Sequence, residues 1–519
     1  MPVFDFHCHP TLKPLFVKKG DEPSPWAYLN VKYKVGKVLG NEVKLSINKL
    51  VNEVLNSQSN FSQLCGRVNL IGLILHAPES DIGRGLLERK MVSQEKLDLL
   101  NAAKLRMVRN GDHYYSWLLQ ETAHLQQHLL PPANTTGLPA GAQVKLLRTA
   151  ADFNEQDLAT VHCFLVVEGL HCFFNNPDSA TAMEEFYRNF HEFTNDHKVF
   201  AVNITHLQDM PFANHASGMQ FLNEGYFYPV KKGLSDRGKE VVEQLHSKGI
   251  LIDIKHLGLK ARTDLYALRS QKQFNQPLIC THAGLTGIRM ADRLQYLQQT
   301  PVAKGEVWEI RHLKKTGHLP FSAFNLCSIN LYDEDVLQVL ESGGLIGISL
   351  DQRIIGYPTE HIAYRWNGYP YDHEHISRFE TEVFFGTPYP VQLMLQPPAD
   401  VLTGDDALGQ EPISELAHAY YFMNQVIHVL KVAVANGISY NKAKKMICIG
   451  SDFDGLINAI DCCKDATQFD AFKQLLNGIA RKPDFWSNTG FGPNEVDIDE
   501  LLDLIFYRNG VNFIKQHLR

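Results

Sequence analysis

The chain has 519 residues, 44% of them hydrophobic and 21% charged, with 50 Lys+Arg against 57 Asp+Glu. That composition excludes a disordered, collagenous or coiled-coil protein and allows an ample core. A formal net charge of −7 provides no basic stripe for phosphates, so a small-molecule substrate is expected and no nucleic-acid partner. The nine cysteines form an odd set without paired CxxC spacing and read as reduced thiols. The start, Met1-Pro2-Val3-Phe4, lacks the basic and apolar regions of a signal peptide. No stretch reaches the length of a membrane span, and Phe513 to Arg519 carries no hydrophobic anchor. The expectation is a cytoplasmic protein without a membrane partner, and a homodimer is compatible with it.

Eight short apolar runs, rich in Val and Ile, stop abruptly at polar residues, as the buried strands of a parallel sheet do. In chain order they are Val3 to Phe6, Val68 to Leu75, Cys163 to Val167, Val199 to Ile204, Ile250 to Ile254, Pro277 to Cys280, Leu345 to Leu350 and Met446 to Gly450. Amphipathic helices fall between several of them, such as Ser235 to Lys248 before Gly249, and Asp333 to Ser342 before Gly343-Gly344. Periodicity alone permits either a closed (β/α)8 TIM barrel or an open doubly wound sheet. The strand ends favour the barrel: His7, His9, Glu168, His206, His256, His282, Asp351 and Asp452 directly follow strands, and only a barrel brings all such ends to one mouth. Three stretches exceed ordinary loop lengths, near 79–161, 289–325 and 357–414, and read as walls or a lid on a single elaborated domain spanning 1–519.

Individually these strand-end residues are weak signals; together they describe a metal centre. Strand alternation sends His7 and His9 to one side and Cys8 to the other, so two imidazoles face one cation while Cys8 reads as a core thiol. Glu168, closing Val166-Val167-Glu168-Gly169, is a buried anion that a bridging cation pair would compensate. His256 and His282 each finish a strand with a borderline-soft ligand suited to Zn²⁺. In Gly450-Ser451-Asp452-Phe453-Asp454-Gly455 an apolar strand ends in two carboxylates flanked by glycines, and Asp452 can serve as both ligand and general base. Asp5 reads as structural, hydrogen-bonded near the first strand.

These residues resemble the membrane (renal) dipeptidase family of the amidohydrolase superfamily, over nearly the whole chain. Asp5 to His9 looks like its opening metal motif, Val167-Glu168-Gly169 like its bridging glutamate, and Asn203 to His206 like the segment carrying its substrate-facing histidine. The run from Leu234 to His256, then Thr281-His282, and finally Gly450 to Gly455 match later landmarks. The resemblance implies a binuclear hydrolase with two divalent ions, Zn²⁺ expected. His7, His9, Glu168 and Asp452 would surround one ion and Glu168, His256 and His282 the other, with a bridging hydroxide attacking the amide of a dipeptide or related small substrate. Asp452 would move the proton and His206 would polarise the oxyanion. Three departures accompany it: the first motif is His-x-His where the dipeptidases usually have His-x-Asp, Ile329 stands where the family has a carboxylate-binding arginine, and the gap from His282 to Asn330 is several times longer. Arg289, Arg293 and Arg353 are the residues expected to replace that arginine. The alternatives are an amidohydrolase-type lactonase, esterase or other amidase, and, from another class, a catalytically silent binding barrel.

Overall fold

The computed structural model describes residues 2–17, 23–30, 53, 55–82, 101–217, 227–356, 373–386, 398–402, 414–492 and 495–519. Eight parallel strands form the barrel: β1 Val3–Cys8, β2 Val68–Leu75, β3 Thr160–Val167, β4 Val199–Asn203, β5 Leu251–Asp253, β6 Leu278–Ala283, β7 Ile346–Ile348 and β8 Ile447–Ile449. Each overlaps one of the apolar runs, and each pairs in parallel with the next in chain order. The last gap is bridged past the end of β8 by a parallel bridge between Cys8 and Phe453. There Asp452 donates its N–H to the His7 carbonyl, and His9 donates to the Phe453 carbonyl, both at 2.8 Å. The sheet is therefore a nearly closed (β/α)8 barrel, not an open sheet.

The connecting helices stop where their sequences dictate. Ser235 caps the helix Asp236–Lys248 by accepting from the Gly238 N–H, and Gly249 ends it at φ 71° in the left-handed region that glycine enters without strain. At the base of the barrel Phe4, Phe6, Phe164 and Phe200 pack with Leu251 and Ile279. The C-terminal helix Asn509–His517 closes that end, with Phe513 set edge-on to Phe6 at 6.0 Å. Gly510 lets this helix approach: a Cβ there would lie 1.9 Å from the Phe4 ring.

The long stretches carry structure of their own. A helix, Tyr114–Gln127, and an extra strand, Gln143–Leu146, lie in the first, the strand pairing beside β3. The second and third are built together: Val307–Arg311 pairs antiparallel with His373–Ser377, and Lys314–Thr316 with Val401–Leu402. Segments 357–372, 387–397 and 403–413 of the third stretch lie outside the described residues. Among those described, no helix is long and apolar enough to cross a membrane.

Candidate active site

Two register shifts bring histidines to the mouth. Between Asp5↔Ile71 and Cys8↔Leu73, β1 advances three residues while β2 advances two. The extra residue reverses the alternation, so Phe4 and Phe6 face the core below while His7 and His9 also turn inward above them. Between Cys280↔Ile346 and Ala283↔Ile348 the same thing happens on β6, placing both Thr281 and His282 at the centre. His256 and Asp452 reach it by another device: both have positive φ, 68° and 61°. For histidine that conformation costs roughly 1–2 kcal/mol.

The six residues expected to bind metal converge as two overlapping sets. In the first, His7 Nε2 and His9 Nε2 are 3.1 Å apart, and each lies 3.4 Å from a Glu168 oxygen. Asp452 Oδ1 is 3.8 Å from His7 Nε2 and 3.5 Å from His9 Nε2. In the second, His256 Nε2 and His282 Nε2 are 3.0 Å apart, and lie 3.5 and 3.7 Å from Glu168 Oε1. Ligands around a tetrahedral zinc, with bonds of about 2.0–2.1 Å, stand roughly 3.3 Å from one another. The spacings match that of a coordination shell, and buried Glu168 Oε1 has no hydrogen-bond partner among the described residues. The donor set thus fits divalent cations.

The layer beneath prepares these ligands. The Thr281 hydroxyl donates to Asp253 Oδ2, so it can only accept from His7 Nδ1, 2.8 Å away. That assigns the His7 proton to Nδ1 and leaves the Nε2 lone pair for a metal. Asp5 accepts from the N–H of Ser451 and of His7, tying β8 to β1. Burial holds His9, His256 and His282 well below the usual imidazole range, as neutral ligands. Burial would raise Glu168, but His206 and His7 outweigh it and hold it well below the carboxylate range. Asp452 goes the other way, pushed well up by burial and by Glu168 and Asp351, with Lys255 and Arg353 opposing. Its side chain keeps 14% exposure, so it borders the open mouth.

Residues 125–294 match the family model of membrane dipeptidase (peptidase family M19). Over that span the chain is similar to the membrane dipeptidases. The match agrees with the metal-dependent hydrolase of the peptidase type that the sequence reading expects. The matched span holds Glu168, His206, His256 and His282, while β1 and Asp452 lie outside it. No curated protein matches the sequence. Solved structures similar to it include dipeptidase AC, a metallo peptidase of family M19, at 13% identity, covering 100% of this chain and 98% of that one with a TM-score of 0.47. Another is a metallo peptidase from Rhodobacter sphaeroides liganded with a phosphinate mimic of the dipeptide L-Ala-D-Ala, at 13%, 100%, 99% and 0.47. The probable dipeptidase PvdM from Pseudomonas aeruginosa stands at 14%, 100%, 95% and 0.49.

The other expected residues divide. His206 lies at the mouth, 12% exposed, its Nε2 3.7 Å from Glu168 Oε2. Arg353 is near Asp452, but its guanidinium is bound by both Asp351 oxygens and by the Leu456 carbonyl. Asp351 is therefore a structural partner, not a ligand of either set. Arg289 is 64% exposed and paired with Asp292. Arg293 is buried in the second insertion on the carbonyls of Met290 and Val383, over the Phe384 ring. None of the three arginines has a guanidinium left open for a substrate carboxylate. Asp454 also differs from Asp452: it accepts from the backbone of Gln58 and Ser59 and pairs with Lys13 at 3.1 Å, anchoring the loop. Cys8 lies in the core, its thiol pushed well up by burial, as expected of an inert residue.

Sequence reasoning passed over three residues. His76 directly follows β2, donates from Nδ1 to the Glu168 carbonyl at 3.1 Å, and faces Glu79 Oε2 at 3.4 Å. Burial opposes its charging, but Glu79 and Glu168 raise it to about 9. Glu79 itself is held well below the carboxylate range, because His206 and His76 outweigh its burial. Lys255, immediately before His256, is buried, and its Nζ donates to the Ile329 carbonyl at 3.2 Å.

Proposed function

We propose that the protein is a binuclear metal-dependent hydrolase that cleaves the amide bond of a dipeptide or a related small carboxylated amide. The observation that carries this reading is the sharing of Glu168 between two donor sets whose spacings suit one coordination shell each. His7, His9, Glu168 and Asp452 would hold one ion and Glu168, His256 and His282 the other, with Zn²⁺ the natural choice for this mix of imidazole and carboxylate. Bound there, the pair would supply Lewis acidity, activating water at neutral pH and polarising the scissile carbonyl. The protein does the rest. Asp452 Oδ1 faces the imidazoles, leaving Oδ2 to take the proton of the attacking water and hand it to the departing amine. His206 Nε2 receives the carbonyl oxygen as charge develops on it.

The carboxylate of such a substrate would meet Lys255. Two cations act on Asp452, and Arg353 is already neutralised by Asp351. The Lys255 amine has no carboxylate within ion-pair distance among the described residues, and burial pulls it below the usual lysine range, so an incoming carboxylate would supply the counter-charge that favours its ammonium form. Its anchor, Ile329, sits in a segment that Arg262 fixes through the carbonyls of Ser328 and Asn330. Ile329 in place of an arginine favours a second reading, an uncharged amide, lactone or ester. The test is elemental analysis of protein purified without added metal, followed by dipeptide, blocked-dipeptide and lactone panels. About two zinc equivalents and preference for free dipeptides would support the first reading; substoichiometric metal or indifference to the free carboxylate would sink it.

A further inference from the structure

Glu79 is a fully buried carboxylate whose ion-pair partners among the described residues are all imidazoles: His206 at 2.6 Å, His76 at 3.4 Å and His171 at 3.9 Å. Two of those rings are engaged elsewhere. His171 Nε2 donates to the Ala77 carbonyl at 2.6 Å, and His76 Nδ1 donates to the Glu168 carbonyl. Only His206 makes a short hydrogen bond to Glu79, on Oε1, the same oxygen that accepts the Leu207 N–H at 3.0 Å. Glu79 therefore grips both the side chain and the backbone of the corner that follows β4. Its second oxygen faces His76 and has no hydrogen bond.

We propose that Glu79 is a positioning residue: by holding the Nδ1–H of His206 it fixes the direction of the ring, so that Nε2 points at the metal centre. A carboxylate oxygen only accepts, so the bond at 2.6 Å places a proton on His206 Nδ1. The ring is then held between two carboxylates, with Nδ1 on Glu79 and Nε2 3.7 Å from Glu168 Oε2, and its other face lies 4.3 Å from the His256 ring. Without Glu79 the imidazole could turn about its Cβ–Cγ bond, which would misdirect the nitrogen that meets substrate. The inference rests on the reading of His206 as the group that meets the substrate carbonyl. Outer partners that orient an active-site imidazole are commonly worth roughly 10–100-fold in activity.

The experiment compares Glu79→Gln, which keeps an acceptor of the same shape, with Glu79→Leu, which removes it, each alone and combined with His206→Ala in the metal-loaded enzyme. Glu79→Leu should lower kcat by about 10–100-fold with KM little changed, and Glu79→Gln should restore most of the loss. In the His206→Ala background neither change should matter further, because a residue acting through another contributes nothing once that other is gone. ¹⁵N–¹H correlation of labelled histidine should show a hydrogen-bonded His206 Nδ1–H in the parent that is lost in Glu79→Leu. Additive losses in the double variant, or an unchanged His206 signal in Glu79→Leu, would overturn the proposal. If His206→Ala itself leaves kcat intact, the reading of His206 fails separately, and the Nδ1–H signal alone then decides what Glu79 does.

Discussion

At the base of the barrel, β1 and β3 contribute Phe4, Phe6 and Phe164; at the mouth the same two strands contribute His7, His9 and Glu168. The base is apolar and closed by the helix that carries Phe513, with ring pairs such as Phe164 and Phe200 at 5.0 Å adding about 0.5–1.5 kcal/mol each beyond their burial. The mouth spends stability: a carboxylate oxygen without a partner costs roughly 1–3 kcal/mol, and His256 sits in the left-handed region. Each strand is thus spliced from a stabilising half and a strained half, and on β1 and β6 an extra residue marks the splice. The lesson is that the lower layer underwrites the geometry of the upper one, so substitutions at the two ends should separate cleanly into stability and activity.

The sharpest way to break that separation is at Asp452. Asp452→Asn keeps the shape and removes the proton carrier, so turnover should fall by roughly 10²–10⁴-fold while the thermal midpoint stays near the parent's. Near-normal turnover in metal-replete protein would refute the role. Phe164→Ala tests the other end. The side chain is fully buried among Phe4, Phe6 and Phe200, so its loss should cost about 3–5 kcal/mol in denaturant unfolding. Activity per folded molecule should be unchanged at a temperature where the variant remains folded. A large drop in kcat without a stability loss would show that the base is not merely a support.

The fold was readable because buried parallel strands write themselves as apolar β-branched runs, and all eight appear where those runs lie. The convergence of His7, His9, Glu168, His256, His282 and Asp452 was readable by the strand-end rule, since a barrel gathers every such end. The same rule applied to β2 points to His76, the residue after Leu75, so that omission was one of reading rather than of signal. The two register shifts were not readable: one extra residue leaves no trace in composition, and simple alternation from Phe4 and Phe6 would turn His7 and His9 outward. Glu79 sits in a loop where a carboxylate looks solvated, and Lys255 hides between an apolar residue and a candidate ligand. The arginine expectation failed at Arg353 for a local reason: Asp351, two residues before it, holds its guanidinium. The insertions escaped because their sheets join strands from separate stretches, as Val307–Arg311 and His373–Ser377 do.

Lys255 sharpens the comparison within the mouth, separating recognition from chemistry. Lys255→Met keeps the stem and removes the charge. KM for free dipeptides should rise by roughly 10–100-fold, as loss of a charge-assisted hydrogen bond of about 1.5–3 kcal/mol implies, with kcat much less affected. Blocked dipeptides should be indifferent to the change. An equal effect on both substrates would remove Lys255 from recognition and leave it as support for the Ile329 segment.

The smallest effect concerns the pH dependence of stability, where His76 at the mouth is raised by its carboxylate neighbours while His517, packed on Phe513 at the base, is lowered by burial. Burial opposes its charging, yet Glu79 and Glu168 raise it from 6.5 to about 9 in the folded state. A histidine whose folded value exceeds its unfolded one binds a proton more tightly when folded. Its contribution is fully present below the unfolded value and is lost as pH rises through the folded one. Between pH 7 and 8.5 this should remove on the order of 1–2 kcal/mol from the unfolding free energy of the metal-free protein. His76→Gln should flatten the decline while lowering stability at pH 7, and Phe164→Ala should lower stability without altering its slope. A slope that survives His76→Gln undiminished would mean that the proton is held elsewhere, and the buried Glu79 would then lack the counter-charge this reading gives it.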